Sequence, residues 1–198
     1  MIRLVLLLSL LLPAAALAEP VARVAELSGP AVAAPPAAGR ARTLQPGATL
    51  NQGDSVSTGR GARLRLVFTD GSVLQLGEET TLTIALFAGP PERRSVLLDA
   101  PRGVFRAIVE TLSPASRFEI RANTAVASVR GTDFMGEVRD GAAAIFVLEG
   151  VVAVAGPGAA VTLREGEGAD VPAGAPPRPP VRWGKARIDR LLAATAAP

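Results

Sequence analysis

No cysteine, histidine or tyrosine occurs in the 198 residues of this chain, and lysine occurs once, as Lys185. Without cysteine or histidine there is no Ser-His-Asp or Cys-His nucleophile system, and no ordinary zinc, haem or iron–sulfur site. An enzyme built on this sequence would have to work with carboxylates, hydroxyls, arginine and that single lysine. Aromatic residues are scarce too: one Trp, Trp183, and six Phe. Disulfides are excluded, so a folded core must be held by burial alone.

A strong charge of either sign is also missing. The chain has 21 Lys+Arg against 18 Asp+Glu, a net charge of +3, although its pI is about 10.8. Almost nothing titrates between the carboxylates near ~4 and the lone lysine near ~10, so the titration curve is flat and the pI runs high. A net charge this small is not the footprint of a nucleic-acid binder, and no nucleic-acid partner is expected.

What is present begins with Met1-Ile2-Arg3, a nearly unbroken leucine run over Leu4 to Leu12, Pro13, and an Ala-x-Ala site at Ala16 to Ala18. A basic start, an apolar run and a small-residue site read as a secretory signal peptide over residues 1–18, cleaved after Ala18. The run is shorter than the ~20 residues of a membrane helix, and Pro13 would break one. No cysteine stands at the cleavage site to carry lipid. The mature protein is therefore expected in the bacterial periplasm or secreted, with neither a transmembrane helix nor a lipid anchor. Cleavage removes Arg3 and lowers the net charge from +3 to +2.

Residues 19–171 are rich in Val, Leu, Ile, Gly and Thr, and their signals have period two. In Arg63-Leu64-Arg65-Leu66-Val67-Phe68, Leu64, Leu66 and Phe68 alternate with wetter positions, as in a strand with one exposed face. Phe118 and Ile120 repeat the pattern between charged residues, and Leu82 and Ile84 alternate with threonines. Ala144 to Leu148 and Val151 to Ala155 are apolar on both faces and read as buried strands. Asp70-Gly71 and Asp140-Gly141 supply hairpin turns, because both residue types tolerate positive φ. Glu149-Gly150 reads as a similar turn. Pro30, Pro35 and Pro36 predict a loop over 28–40. The expected fold is all-β: a single compact domain of ten to twelve short, mostly antiparallel strands, as a sandwich or roll or a short β-solenoid. No fixed-length repeat is clear enough to select the solenoid.

Residues 172–182 are a proline-rich spacer, unsuited to helix or sheet interior. Residues 183–198 then predict a short amphipathic helix from Ile188, Leu191 and Leu192. That helix either docks on its own domain or is presented to a partner groove.

Several ordered segments form a specific set. Leu44-Gln45-Pro46-Gly47 opens it and leads through Gly53-Asp54-Ser55-Val56 to Ala62–Leu74, which holds Asp70-Gly71. Gly103-Val104-Phe105-Arg106 follows, then Phe118 through Val129-Arg130-Gly131-Thr132-Asp133-Phe134, then Val147-Leu148-Glu149-Gly150-Val151. This order resembles the FecR domain family, most strongly over 44–171. The resemblance implies an exported β domain used for sensing or protein contacts. In signalling members, a cytoplasmic helical segment that handles a sigma factor precedes a membrane helix and the β domain. Here only Met1-Ile2-Arg3 precedes the apolar run, so a stand-alone form without the anti-sigma segment is expected.

Candidate binding residues are Asp54, Arg130, Thr132 and Asp133; Gly53, Asp70, Gly71, Gly131, Phe134 and Gly150 are motif positions with structural roles. Each has a plainer reading. Asp54 can hold a turn through nearby N–H groups. Asp133 can accept from Arg130 or from backbone in a buried polar lock, with Gly131 permitting a bulge. Arginines 63, 65, 93, 94, 102, 106, 117, 121, 130 and 139 are spread among acids and form either a solvated face or a groove for an anion. Glu78-Glu79 with Glu165 and Glu167 could in principle supply a glycosidase pair, but the aromatic lining of a sugar cleft is missing. No Asp-x-Asp-x-Asp run exists for calcium. The expectation is a non-enzymatic protein-binding or sensing module of the bacterial envelope, without cofactor or metal, whose partner is an envelope protein. The alternative is a binder of a small anionic ligand, such as a ferric chelate or acidic glycan.

Overall fold

The computed structural model describes residues 19–36 and 39–197. The signal peptide expected over residues 1–18 lies outside the described residues. Seventeen strands run along the described chain: β1 (Ala22–Ser28), β2 (Ala31–Ala34), β3 (Arg42–Thr43), β4 (Thr49–Leu50), β5 (Ser55–Thr58), β6 (Arg63–Phe68), β7 (Val73–Leu76), β8 (Thr81–Ala88), β9 (Ser95–Val109), β10 (Arg117–Ala122), β11 (Ala125–Val129), β12 (Thr132–Arg139), β13 (Ala142–Glu149), β14 (Val151–Gly156), β15 (Ala159–Arg164), β16 (Glu167–Val171) and β17 (Val181–Arg182). One α-helix, α1 (Lys185–Ala194), follows. The fold is all-β as expected. The strand number exceeds ten to twelve in part because β3, β4 and β17 are two-residue pairings with no periodicity to read, and β2, β5 and β7 have only four residues each. Residues 28–40 are not simply a loop: β2 lies inside them, with Ala31 and Ala33 buried just after Pro30.

The strands form one continuous hydrogen-bonded network. It folds over at the fifteen-residue β9 into two layers. The first layer runs β4-β1-β6-β7-β9-β12-β13-β16-β17. The second runs β3-β2-β5-β8-β9-β10-β11-β14-β15. Every pairing is antiparallel except β9–β10. The inward rows of both layers share one core, including Leu64, Leu66, Phe134 and Ile145 from the first and Val56, Leu98, Ile120 and Val154 from the second. Each such side chain, fully buried, contributes roughly 1.5–3 kcal/mol.

β9 belongs to both layers, and its side-chain phase records the crossing. Val96, Leu98 and Ala100 face the core in its first half; Phe105, Ala107 and Val109 do so in its second. The one-residue slip falls at Pro101-Arg102-Gly103, where Gly103 has φ +105°. A Cβ on Gly103 would lie 2.4 Å from Thr80 Cα, so no larger residue fits there. Thr80 also satisfies the backbone next to the slip: its hydroxyl accepts from Val104 N–H at 3.0 Å. The Thr80 N–H in turn donates to the Thr58 hydroxyl at 2.9 Å.

The pairings of the second half repeat those of the first. β1–β6, β2–β5, β6–β7 and β5–β8 correspond to β9–β12, β10–β11, β12–β13 and β11–β14. Arg60-Gly61 and Asp70-Gly71 recur as Arg130-Gly131 and Asp140-Gly141, and all four glycines have positive φ. This internal duplication is faint in the sequence because the two corners and the two hairpins differ in length. Asp140-Gly141 closes a two-residue hairpin between the paired Arg139 and Ala142, with φ +50° and +78°. Asp70-Gly71 lies in a longer turn, Phe68 N–H reaching Ser72 O at 2.9 Å.

α1 docks on the outer face of the first layer. Leu191 and Trp183 join Val104, Met135, Ala144 and Phe146 in a second apolar cluster, with Ile188 and Leu192 against it. Trp183 stacks on Phe146 with ring centroids 5.2 Å apart, and the Arg187 guanidinium lies 3.5 Å over the indole. β13 is therefore buried on both faces, as its sequence implies. β14 is not: Val152 and Val154 are buried, while Val151, Ala153 and Ala155 are exposed. The two runs look alike in sequence, and only the position of α1 separates them. Among the described residues, no helix is long and apolar enough to cross a membrane.

Candidate functional site

The motif Val129–Phe134 sits where the chain passes from the second layer to the first, between β11 and β12. Beside it the chain passes back, through Glu149-Gly150. That pair is a corner between layers rather than a hairpin, since β13 pairs with β12 and β16 and β14 with β11 and β15. The two corners are packed glycine to backbone. A Cβ on Gly150 (φ +91°) would lie 2.9 Å from Gly131 O. Thr132 is buried and its hydroxyl donates to Val151 O at 3.3 Å. Phe134 turns fully into the core and meets Phe105 edge to face, centroids 6.0 Å apart.

Asp133 is locked, but not by Arg130. Its carboxylate accepts two bonds from Arg106, Nε to Oδ1 at 2.9 Å and Nη2 to Oδ2 at 2.6 Å. The cause is register: Asp133 faces Ile108 and Met135 faces Arg106 across β9–β12, so Arg106 is the diagonal neighbour on the same face. The bidentate bond raises the Arg106 pKa above its ordinary value, against the opposing effect of burial. Gly131, at φ +67°, turns the chain between Arg130 and Asp133, and the two side chains serve different surfaces.

Arg130 is exposed and makes no hydrogen bond or ion pair among the described residues. It borders an open groove of about 460 Å³ on the outer face of β10, β11 and β14, with Arg117, Glu119, Ser128, Val151 and Ala153. Ser128 Oγ donates to Glu119 Oε1 at 3.3 Å. Val151 and Arg117 were visible in the sequence, one in the last segment of the motif set and the other among the scattered arginines, but only the pairing of β10, β11 and β14 brings them and Ala153 to Arg130.

The remaining candidates stand apart from this groove. Asp54 is buried before β5, three strands of the second layer away from β10. It accepts from Arg42 Nη2 at 2.7 Å and from Asn51 N–H at 3.0 Å, while Gly53 at φ +90° makes the turn. Asp70 accepts from Ser72 N–H at 3.0 Å, next to Gly71 at φ +88°. The four glutamates weighed as a hydrolytic pair stand at two separate turns, and Glu79 lies 4.0 Å from the Arg60 guanidinium. Glu78 accepts from Gly61 N–H at 2.6 Å and Glu167 from Arg164 N–H at 2.9 Å.

A second charged cluster fastens α1. Arg190 donates to both oxygens of Glu137, at 2.9 and 2.8 Å, and Arg187 to Asp170 at 2.6 Å. Hydrogen bonding to Arg190 lowers the Glu137 pKa below its ordinary 4.5, against the effect of burial. Among the described residues, no three carboxylates converge as a metal site would require.

A family model described as FecR protein matches residues 54–153. No curated protein matches the chain significantly. Two crystal structures of a proposed anti-sigma factor from Parabacteroides distasonis share the fold. One, at 1.65 Å resolution, has a TM-score of 0.58 and 20% identity over 70% of this chain and 64% of the other. The second, at 2.50 Å, has a TM-score of 0.59 and 19% identity over 70% and 63%. The chain thus spans less than two thirds of the length of these neighbours.

Proposed function

The chain belongs to the FecR protein family, and from that premise we propose that it is an exported, non-enzymatic protein-binding module that takes part in sensing in the bacterial envelope. Family membership supports a role in signal transduction. Envelope location and the absence of catalysis rest on the signal-peptide pattern and on the lack of His and Cys. The observation that carries the reading is the state of Arg130. Its motif neighbours Thr132 and Asp133 are consumed by internal bonds, whereas Arg130 stands free at an open groove. The groove mixes Arg117 and Arg130 with Glu119, Val151 and Ala153. Mixed charge beside exposed apolar side chains suits a polypeptide surface better than a small anion, for which Glu119 is repulsive.

The test is crosslinked capture from envelope extract on immobilised mature protein, with the Arg130→Ala variant in parallel. A protein enriched by the native chain and at least about tenfold less by R130A supports the reading, the size of effect given by losing a buried charged contact at an interface. Equal enrichment by both, or none over bare matrix, overturns it. Ferric citrate and acidic oligosaccharides are titrated alongside. Saturable binding that weakens with salt and is lost in R130A would favour the small-anion reading instead. Fractionation of the producing cell, with the protein recovered in the cytoplasm, would remove the envelope assignment.

A further inference from the structure

The two layers have four outer edges, and three are closed by very short strands. β3, β4 and β17 have two residues each, and Arg42 of β3 is further tied to Thr49 O and Asp54. Short edge strands are how folded proteins deny a template to foreign strands. The fourth edge is β15, and it differs. It is six residues long, pairs with β14 without a bulge from Val151↔Arg164 to Gly156↔Ala159, and contains no proline or lysine.

One bond shows which of its backbone groups are free. Arg164 N–H donates to Glu167 Oε2 and so points away from β14. Hydrogen-bonded and non-bonded pairs alternate in an antiparallel ladder, so the N–H and C=O of Thr162 and Ala160 point the same way. Among the described residues, no strand pairs with that side of β15. The internal duplication shows how the same place is treated in the first half. There the corresponding strand is the first half of β9, whose outer side is covered by β10 in parallel pairing. Beyond β10 it carries Pro101, whose carbonyl accepts from Asn123 Nδ2 at 3.0 Å. β10 contributes Phe118 and Ile120 to the core on alternate positions. β15 has neither cover nor proline, and the face beside it is the bare one: Val151 is 47% exposed.

We propose that the β15 edge, Ala159–Arg164, is a docking site that takes an extended segment of a partner protein as an added strand, with alternate apolar side chains as in β10. This is recognition by strand addition: main-chain bonds at Ala160 and Thr162 supply affinity, and the alternation supplies specificity. It does not rest on the role of Arg130, which lies on the groove face rather than at the edge.

The experiment selects a random octapeptide display library on the immobilised mature protein, and compares Thr162→Pro. Because Thr162 N–H faces outward, proline there removes no bond to β14 and leaves the fold intact. The expected result is enrichment of peptides with period-two apolar residues, bound at least about tenfold more weakly by T162P and unchanged by R130A, the factor reflecting lost main-chain bonds. Should T162P fail to fold, Thr162→Lys, an exposed edge lysine, carries the same comparison. Peptides without period two, or peptides bound equally by the native and edge-blocked chains, overturn the proposal. A dimer in sedimentation that T162P dissolves also overturns it, since the edge would then be occupied by a second copy.

Discussion

Replacing Thr80 by valine isolates the backbone crossing of β9. Valine keeps the shape, so little packing is lost. What is lost is the acceptor for Val104 N–H, because the Thr80 hydroxyl is the atom that N–H reaches at 3.0 Å. Val104 O does not suffer, since it also accepts from Gly77 N–H at 2.9 Å. Thr80 is fully buried, and water cannot substitute without a cavity. An orphaned buried donor costs about 1–3 kcal/mol. The methyl that replaces the hydroxyl returns at most about 0.8 kcal/mol. The net expectation is a loss of roughly 0.2–3 kcal/mol, centred on about 1–2 kcal/mol, where Tm falls by roughly 2–8 °C for a domain of this size. Thr80→Ser is the control: it keeps the acceptor and loses a methyl, at a cost of about 1 kcal/mol or less. Urea unfolding followed by far-ultraviolet circular dichroism gives both values. If T80V is as stable as the native protein, or T80S is the worse of the two, the hydroxyl does not hold the crossing and the reasoning fails.

Two further outcomes are expected. In Gly168→Ala the new Cβ would lie 2.3 Å from Trp183 Cε2 and 2.5 Å from Nε1, within an indole already held between Phe146 and Arg187. Trp183 should leave its site, red-shifting the emission of this single-Trp protein and exposing the 172–182 segment to protease; unchanged emission would refute the packing. Glu137 has a folded pKa below its unfolded value, so its contribution is complete above about pH 4.5 and is lost as pH falls through the folded value. α1 should therefore loosen in acid, Glu137→Gln should be loosened already at neutral pH and respond less to acid, and Trp183 emission should stay flat between about pH 6 and 9, where no side-chain type in the chain ordinarily titrates. A midpoint inside that window, or a native acid response retained in E137Q, would contradict this.

Much of the strand pattern was legible because period two is a local signal. Leu64, Leu66 and Phe68, or Phe118 and Ile120, reveal a buried face within six residues. What depends on pairing across the chain was not legible. Arg106 becomes the partner of Asp133 only through the β9–β12 register, and Arg117 joins Arg130 only because β10, β11 and β14 are neighbours. The phase slip in β9 was hidden for the same reason: Val96–Ala100 and Phe105–Val109 each alternate well, and nothing local says that they face one core from opposite layers. Nor could Val151–Ala155 be told from Ala144–Leu148, since the cover that distinguishes them comes from a helix beyond a proline-rich spacer. The glycines were a partial exception. Gly131, read as permitting a bulge, and Gly150, read as a hairpin turn, both carry a positive φ, but only the pairing of the strands on either side shows that they stand at corners between the layers.

The duplication also bears on how the domain assembles. In stacked-repeat proteins each unit touches only its neighbours, folding can begin anywhere, and units can be added or removed. Here the last strand of one half and the first strand of the next are the same uninterrupted β9, with β8 and β10 on its first part and β7 and β12 on its second. Cutting the gene at its point of symmetry would leave each half without one of its own strands. The internal repeat is thus indivisible, and its two halves share a single cooperative fate.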